Sequence, residues 1–70
     1  MEFVVVIEQG ETSFGAHVPD LPGCFAMGLP REDVPQGIRE TIALHLEGMR
    51  QDGLPPLVPV STVAVVEVAA

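Results

Sequence analysis

The chain has 70 residues and no lysine, and its three arginines stand against ten carboxylates, which gives a formal net charge of −7. Lysine and arginine supply most of the affinity that proteins have for phosphate backbones, so this charge argues against nucleic acid as a direct partner. It favours a basic protein as a partner, or it serves solubility alone, and composition leaves both interpretations open.

Seventy residues form one domain, residues 1–70, in which only about 60% of the surface of the unfolded chain is buried on folding. Hydrophobic residues make up 47% of so small a chain, which predicts apolar surface left over for self-association. A lone cysteine excludes an intrachain disulfide and a zinc site of paired cysteines, and it favours a reducing compartment. No apolar run reaches signal-peptide or membrane length, so we expect a cytoplasmic protein without a membrane partner.

Three short strands are predicted in the first half of the chain, at 2–8, 13–18 and 24–28. The first is β-branched and almost wholly apolar, which is typical of a central strand covered on both faces. A polar connection with a glycine separates it from the second, and we expect the two to pair as a hairpin.

The connection between the second and third strands reads V-P-D-L-P-G-C, residues 18–24. Its two prolines fix φ near −65° and bias the preceding residues toward extended backbone, while the glycine supplies a positive φ. We therefore predict a tight structural turn. Its shaping residues and the start of the next strand are Pro19, Asp20, Pro22, Gly23 and Cys24. Asp20 is interpreted as bonding its own backbone rather than as a functional acid, and Cys24 as a small buried hydrophobe.

A helix is predicted at 34–52. An apolar stripe with a period near 3.6 residues defines its buried side; the stripe consists of Val34, Ile38, Ile42, His45 and Met49. Asp33 is the expected N-cap, because it places Pro35 in the first turn and forms an Asp-x-x-Gln capping box with Gln36. Gly37 and Gly48 should weaken the helix.

A glycine and prolines end the helix, and the segment 53–61 is predicted to be an extended linker. The β-branched pattern returns at 62–68, which predicts a last strand. A right-handed strand-helix-strand crossover would place it parallel to the first strand. The predicted fold class is therefore α+β, with element order β-β-β-α-β and sheet order 3-2-1-4.

No catalytic, metal or cofactor site is predicted. His45 lies on the apolar stripe and is interpreted as a core histidine that donates to a carbonyl or to the turn, rather than as a catalytic or metal-binding residue. His17, Glu8, Asp20 and Cys24 carry no recognised ligand spacing, and the few carboxylates do not form the convergent set that a metal nuclease needs. We therefore expect a protein that is not an enzyme.

Two candidate interaction surfaces remain. The outer side of the helix carries Glu40, Leu44, Glu47 and Asp52, which could dock a basic partner or simply be a solvated face. The last strand would leave an apolar edge, marked by Val63, Val65 and Val66, and such an edge aggregates unless another chain pairs with it. The second surface predicts at least a homodimer.

The strand at Phe3 to Glu8, the V-P-D-L-P-G-C turn and the helix end L-H-L-E followed by D-G together resemble the HicB-like antitoxin family over roughly residues 1 to 60. The resemblance implies a partial ribonuclease-H-like, or dsRBD-like, fold without the catalytic metal site. It also implies a non-enzymatic protein-binding module that neutralises a small basic toxin ribonuclease of the HicA type.

This chain departs from the family pattern in two places. A Ser or Thr cap usually stands about where Pro30 is, so the helix should start later here by roughly a turn. Larger members carry a DNA-binding segment after the domain, and only two alanines follow Val68, so we expect no operator binding. The alternative to the antitoxin hypothesis is a free-standing homo-oligomeric domain with no toxin partner.

Overall fold

The computed structural model describes residues 1–55 and 57–69. Its elements, in chain order, are β1 (Val6–Gln9), β2 (Phe14–His17), β3 (Phe25–Leu29), a 3-10 turn (Arg31–Asp33) and α1 (Val34–Gln51). Three antiparallel strands followed by one helix confirm the predicted α+β class.

The sheet has the order β1-β2-β3, with β2 in the centre. His17 of β2 lies opposite Val6 on one side and Phe25 on the other. The register between β2 and β3 slips near the far end, where Phe14 pairs with Leu29 but Ala16 pairs with Ala26. β3 therefore has one residue more than β2 between these two pairs, which is a β-bulge.

The hydrophobic core lies between one face of the sheet, the 18–24 turn and the first half of α1. Its buried residues are Ala16, Val18, Leu21, Cys24, Val34 and Ile38. Leu21 and Val34 are fully inaccessible to solvent. The turn thus supplies half of the buried residues, so it stabilises the fold through packing as well as reversing the chain.

The start of α1 differs from the predicted capping box. Asp33 precedes the helix, but with φ −92° and ψ −9° it already has helical backbone, and its side chain forms no capping hydrogen bond. The reason is the preceding 3-10 turn, whose last residue is Asp33. The Gln36 amide points forward instead and donates to Glu40 Oε1 at 3.1 Å. Pro35 does lie in the first helical turn, where its missing N–H costs nothing.

The C-terminal end of α1 is a Schellman motif. The Leu54 N–H donates to the Met49 carbonyl at 3.0 Å, and the Gly53 N–H donates to the Arg50 carbonyl at 3.1 Å. Gly53 has φ +71°, the left-handed conformation that this motif requires. The helix therefore ends because its last carbonyls are satisfied by the reversing chain.

Two features of the sheet differ from the prediction. β1 is an edge strand rather than a central one, and all four of its residues are exposed. The fourth strand expected at 62–68, with sheet order 3-2-1-4, is not formed: residues 57–69 have no strand assignment. The two differences have one cause, because β1 would be central only if the last segment paired along its free edge.

Candidate protein-binding site

The backbone of the 18–24 turn is closed by its own hydrogen bonds. The Leu21 N–H donates to the Val18 carbonyl at 3.0 Å, and the Cys24 N–H donates to the Leu21 carbonyl at 3.0 Å. Gly23 has φ +81°, so its left-handed conformation is the one expected from the sequence. Burial raises the pKa of the Cys24 thiol, which keeps it protonated and unreactive.

The sequence predicted that the Asp20 carboxylate bonds the backbone of its own turn. In the structure it instead accepts hydrogen bonds from the segment that follows α1. Its Oδ2 accepts hydrogen bonds from the N–H groups of Val60 (3.0 Å) and Ser61 (2.9 Å), and its Oδ1 accepts one from the Ser61 hydroxyl (2.7 Å). These contacts join positions 40 and 41 residues apart. We call this arrangement the Asp20 clamp.

The clamp favours the charged form of the carboxylate. The backbone N–H of Ser61 contributes most, followed by the Ser61 hydroxyl, and together they hold the pKa of Asp20 below its ordinary value of 3.8. No local sequence pattern signals this contact, because it depends on bringing a distant, extended segment back to the turn.

Beyond the clamp, the described residues 62–69 are all exposed, and we call them the C-terminal arm. The predicted oligomer-edge residues Val63, Val65 and Val66 are 70%, 96% and 76% exposed. The principal extents of the molecule are 48 × 27 × 17 Å, and its radius of gyration of 13.9 Å exceeds the roughly 11 Å expected for a packed domain of this length. These dimensions agree with an arm that projects from the body.

The four predicted partner-binding residues are all exposed, three on α1 and the fourth immediately after it. Glu40, Leu44 and Glu47 follow a spacing of four and three residues and so form one stripe, with Leu44 75% exposed between the two carboxylates. Asp52 is the C-cap residue that follows the helix. We refer to these four residues as the outer helix face.

The charges of the outer helix face are partly satisfied within the helix. The Arg50 Nε donates to Glu47 Oε2 at 3.0 Å, and the Gln51 amide donates to Glu47 Oε1 at 3.3 Å. Arg50 is the main cause of a lowered pKa at Glu47, and its own pKa is raised in return. A cation from a partner would therefore compete with Arg50 at Glu47, whereas Glu40 carries only a neutral amide contact.

A further exposed surface was missed by the sequence analysis. Val6, His17 and Phe25 are in register across the three strands and lie on the sheet face away from α1, and Met27 follows two residues after Phe25. Phe25 and Met27 are 58% and 75% exposed. The sequence contained a signal for this surface. Side chains alternate between the two faces of a strand, so Phe25 and Met27 of the third strand share one face, and the face that is not buried must be exposed.

The histidines occupy different environments. His17 lies on the outer sheet face with its Nδ1 3.4 Å from Glu8 Oε1. His45 is half-buried, and its side chain has no hydrogen-bond partner within the described residues, so the expected bond to a carbonyl or to the turn is not formed. Over residues 1–55 and 57–69, no three His, Cys, Asp or Glu side chains converge on a potential metal position.

In the part of the chain that the structure describes, no helix has both the length and the apolar character needed to cross a membrane.

Comparison with known proteins identifies a family and a solved structure that this chain resembles. A family model described as the HicB_like antitoxin of bacterial toxin-antitoxin system matches residues 3–69. The chain belongs to the HicB-like antitoxin family. It also resembles a chain of the solved HicA3 and HicB3 toxin-antitoxin complex, with a TM-score of 0.74 and 27% identity, covering 86% of this chain and 70% of that chain.

One curated relative has a less informative description. The chain is 35% identical over 52 residues to an uncharacterized 14.9 kDa protein in the rep-hol intergenic region of Haemophilus phage HP1 (strain HP1c1). The match covers 74% of this chain but 39% of the phage protein, so the chain corresponds to well under half of that relative.

Proposed function

We propose that this chain is the protein-binding domain of an antitoxin, which neutralises a small basic toxin ribonuclease of the HicA type by direct contact in the cytoplasm. The observation that carries this proposal is the fold similarity to a chain of a toxin-antitoxin complex. The net charge of −7 supports it independently, because a basic ribonuclease would be attracted to such a surface at long range. The domain acts by masking the toxin and needs no catalytic group of its own.

The outer helix face is our proposed docking surface. Leu44 provides an exposed apolar anchor, and Glu40 and Glu47 flank it on the same stripe. A basic surface with an apolar depression between two cations would match this pattern. Because Glu47 is already paired with Arg50, we assign the larger share of the new ion pairing to Glu40 and Asp52.

A pull-down from the native cytoplasm would identify the basic partner, and stopped-flow kinetics would then measure association. Charge reversal of Glu40, Glu47 and Asp52 to Lys should slow association and speed dissociation. The matched control reverses Glu11, Glu32 and Asp33, which are exposed and give the same net charge away from the outer helix face and from the groove beside β1. The control should slow association only, since it removes long-range steering but no contact.

Two further results would bear on the proposal. The association rate of the unaltered chain should fall steeply as ionic strength rises past 0.15 M, where the Debye length is about 8 Å. Free RNA should not bind this chain and should not compete with the toxin for it.

Equal effects of the two triple variants on dissociation would exclude the outer helix face as the docking surface and direct the search to Phe25 and Met27 on the outer sheet face. Failure to recover any basic partner would favour a free-standing homo-oligomeric domain.

We also propose that residues 62–68 form a fourth strand along the free edge of β1 in the assembled protein, which gives the sheet order 3-2-1-4. The β-branched composition of the C-terminal arm and the exposure of every residue of β1 support this pairing. The free edge would otherwise present unpaired backbone groups to other chains.

A further inference from the structure

Both surfaces needed for the proposed fourth strand are present in the chain, and they are not joined. Beside the free edge of β1, a groove opens between the N-terminal segment and the first half of α1. Its lining is mainly apolar and includes Phe3, Val5, Ile7, Val34, Ile38 and Ile42. The C-terminal arm, which has the composition to cover this groove, is exposed instead.

The Asp20 clamp fixes where the arm leaves the body. Val60 and Ser61 are held against the turn by three hydrogen bonds, so the arm starts from a defined position. From Ser61 to Val68 the chain contains no glycine and no proline. Five of these eight residues are β-branched Val or Thr, and all five follow Ser61. Such a segment favours continued extension and offers no turn that would fold it back.

The two faces of an extended arm differ in chemistry. Successive strand residues point to opposite sides, so Ala64, Val66 and Val68 share one face. The opposite face contains Val63, Val65 and Glu67. The first face carries no charge and suits the apolar groove, while the second keeps a carboxylate in solvent. Seven extended residues span about 23 Å, enough to follow the N-terminal segment 2–8 over its length.

We propose that this arm is exchanged between two copies of the chain, each arm pairing with the free edge of β1 of the other copy and covering its groove. This inference rests on the proposed fourth strand, and it specifies that the strand comes from the second copy of the chain. The arrangement is a closed, two-fold exchange, so it pairs the free edge of β1 in both copies and needs no third copy to do so. The Asp20 clamp positions the arm for capture by the second copy.

The decisive experiment mixes a uniformly ¹³C,¹⁵N-labelled chain with an unlabelled chain and records isotope-filtered NOEs. Exchange predicts a dimer by light scattering and intermolecular NOEs between the methyl groups of Val66 or Val68 and those of Val5 or Ile7. NOEs between the same groups within a monomer would overturn the exchange but keep the fourth strand. A monomer with no contact between the arm and β1 would overturn both proposals.

A pair of variants tests the specificity of the contact. Val66→Lys would place a charge in the apolar groove and should weaken dimerisation roughly tenfold or more. Val58→Lys is the matched control, because Val58 is similarly exposed (69% against 76%) but lies before the clamp. The control should leave the dimer unchanged, and circular dichroism should show that both variants keep their helix. Equal weakening by the two would indicate unspecific apolar association and overturn the proposal.

Discussion

The 18–24 turn and the C-terminal arm are segments of similar length, each with several aliphatic residues, yet their exposures are opposite. Val18, Leu21 and Cys24 of the turn are at most 2% exposed, whereas Val65 and Val66 of the arm are 96% and 76% exposed. The turn contains two prolines and a glycine, which fold it into hydrogen bonds with itself and direct its apolar side chains inward. The arm has no such residues, so its side chains stay exposed unless a partner strand covers them.

The comparison shows that apolar composition alone does not decide burial in a chain of this size. Burial requires backbone geometry that brings the side chains against the rest of the molecule, and the turn carries this information locally. In our proposal, the arm becomes buried only when it pairs with the free edge of β1. The Asp20 clamp is the junction between the two regions, since one carboxylate from the turn holds the start of the arm.

The largest effect is expected in the turn. Leu21→Ala removes a fully buried side chain and should lower the free energy of unfolding by about 2–4 kcal/mol. In a domain whose total stability is marginal, this change should leave much of the chain unfolded at room temperature. Urea denaturation followed by circular dichroism measures the loss. Leu44→Ala is the matched control, because Leu44 is 75% exposed and its truncation should change stability by no more than about 0.5 kcal/mol.

A similar loss from both variants would contradict the division of the chain into a packed body and exposed surfaces. It would mean that Leu44 is covered in solution, for instance by a second copy of the chain.

The sequence predicted the elements that depend on local signals. The positive φ of Gly23 and Gly53, the position of Pro35 in the first helical turn and the antiparallel pairing of three strands all follow from residues close in the chain. The exposure of Leu44 was predicted because this residue stands off the apolar stripe. These features require no knowledge of distant contacts.

The features that the sequence did not predict depend on contacts between distant residues. β1 was assigned to the centre of the sheet because its strand partner at 62–68 was assumed to pair within the chain. The hydrogen bonds of Asp20 were assigned to its own turn, because no residue near Asp20 in the sequence indicates the contact with Ser61, which is 41 residues away. The capping box failed for a different reason, since the 3-10 turn before α1 leaves Asp33 in a helical conformation.

The two helical glycines should respond differently to substitution, which sharpens the comparison within α1. At Gly48 an added Cβ would meet no atom within 4 Å, so Gly48→Ala should raise the free energy of unfolding by about 0.5–1 kcal/mol. At Gly37 the added Cβ would lie 2.7 Å from Leu29 Cδ1, so the Leu29 side chain must turn away. Gly37→Ala should therefore gain less than Gly48→Ala or nothing at all, as measured by thermal and urea denaturation.

Equal gains at the two positions would show that Leu29 does not pack closely on α1. The glycine at 37 would then be a weakness of the helix, as the sequence alone suggested, rather than a site of close approach between the helix and β3.

The smallest expected effect is local and concerns the junction itself. Asp20→Asn keeps the size of the side chain but removes the charge that accepts three hydrogen bonds, and charged acceptors bond more strongly than neutral ones. Hydrogen exchange at the Val60 and Ser61 amides should become faster, on the order of three- to tenfold, with little change in the core. Asp52→Asn is the control, because Asp52 is exposed and the Val60 and Ser61 amides donate to Asp20 rather than to Asp52.

The same clamp should depend on pH with a definite sign. Hydrogen bonds from Ser61 hold the folded-state pKa of Asp20 below 3.8, so the carboxylate stabilises the clamp fully above that pH and loses its effect as the pH falls through the lowered value. The amide chemical shifts of Val60 and Ser61 should therefore titrate together with a midpoint below 3.8 in the unaltered chain and stay flat in Asp20→Asn. A midpoint at or above 3.8, or an unchanged titration in the variant, would contradict this prediction. The arm would then be held to the body by other contacts, and the Asp20 carboxylate would not stabilise its position.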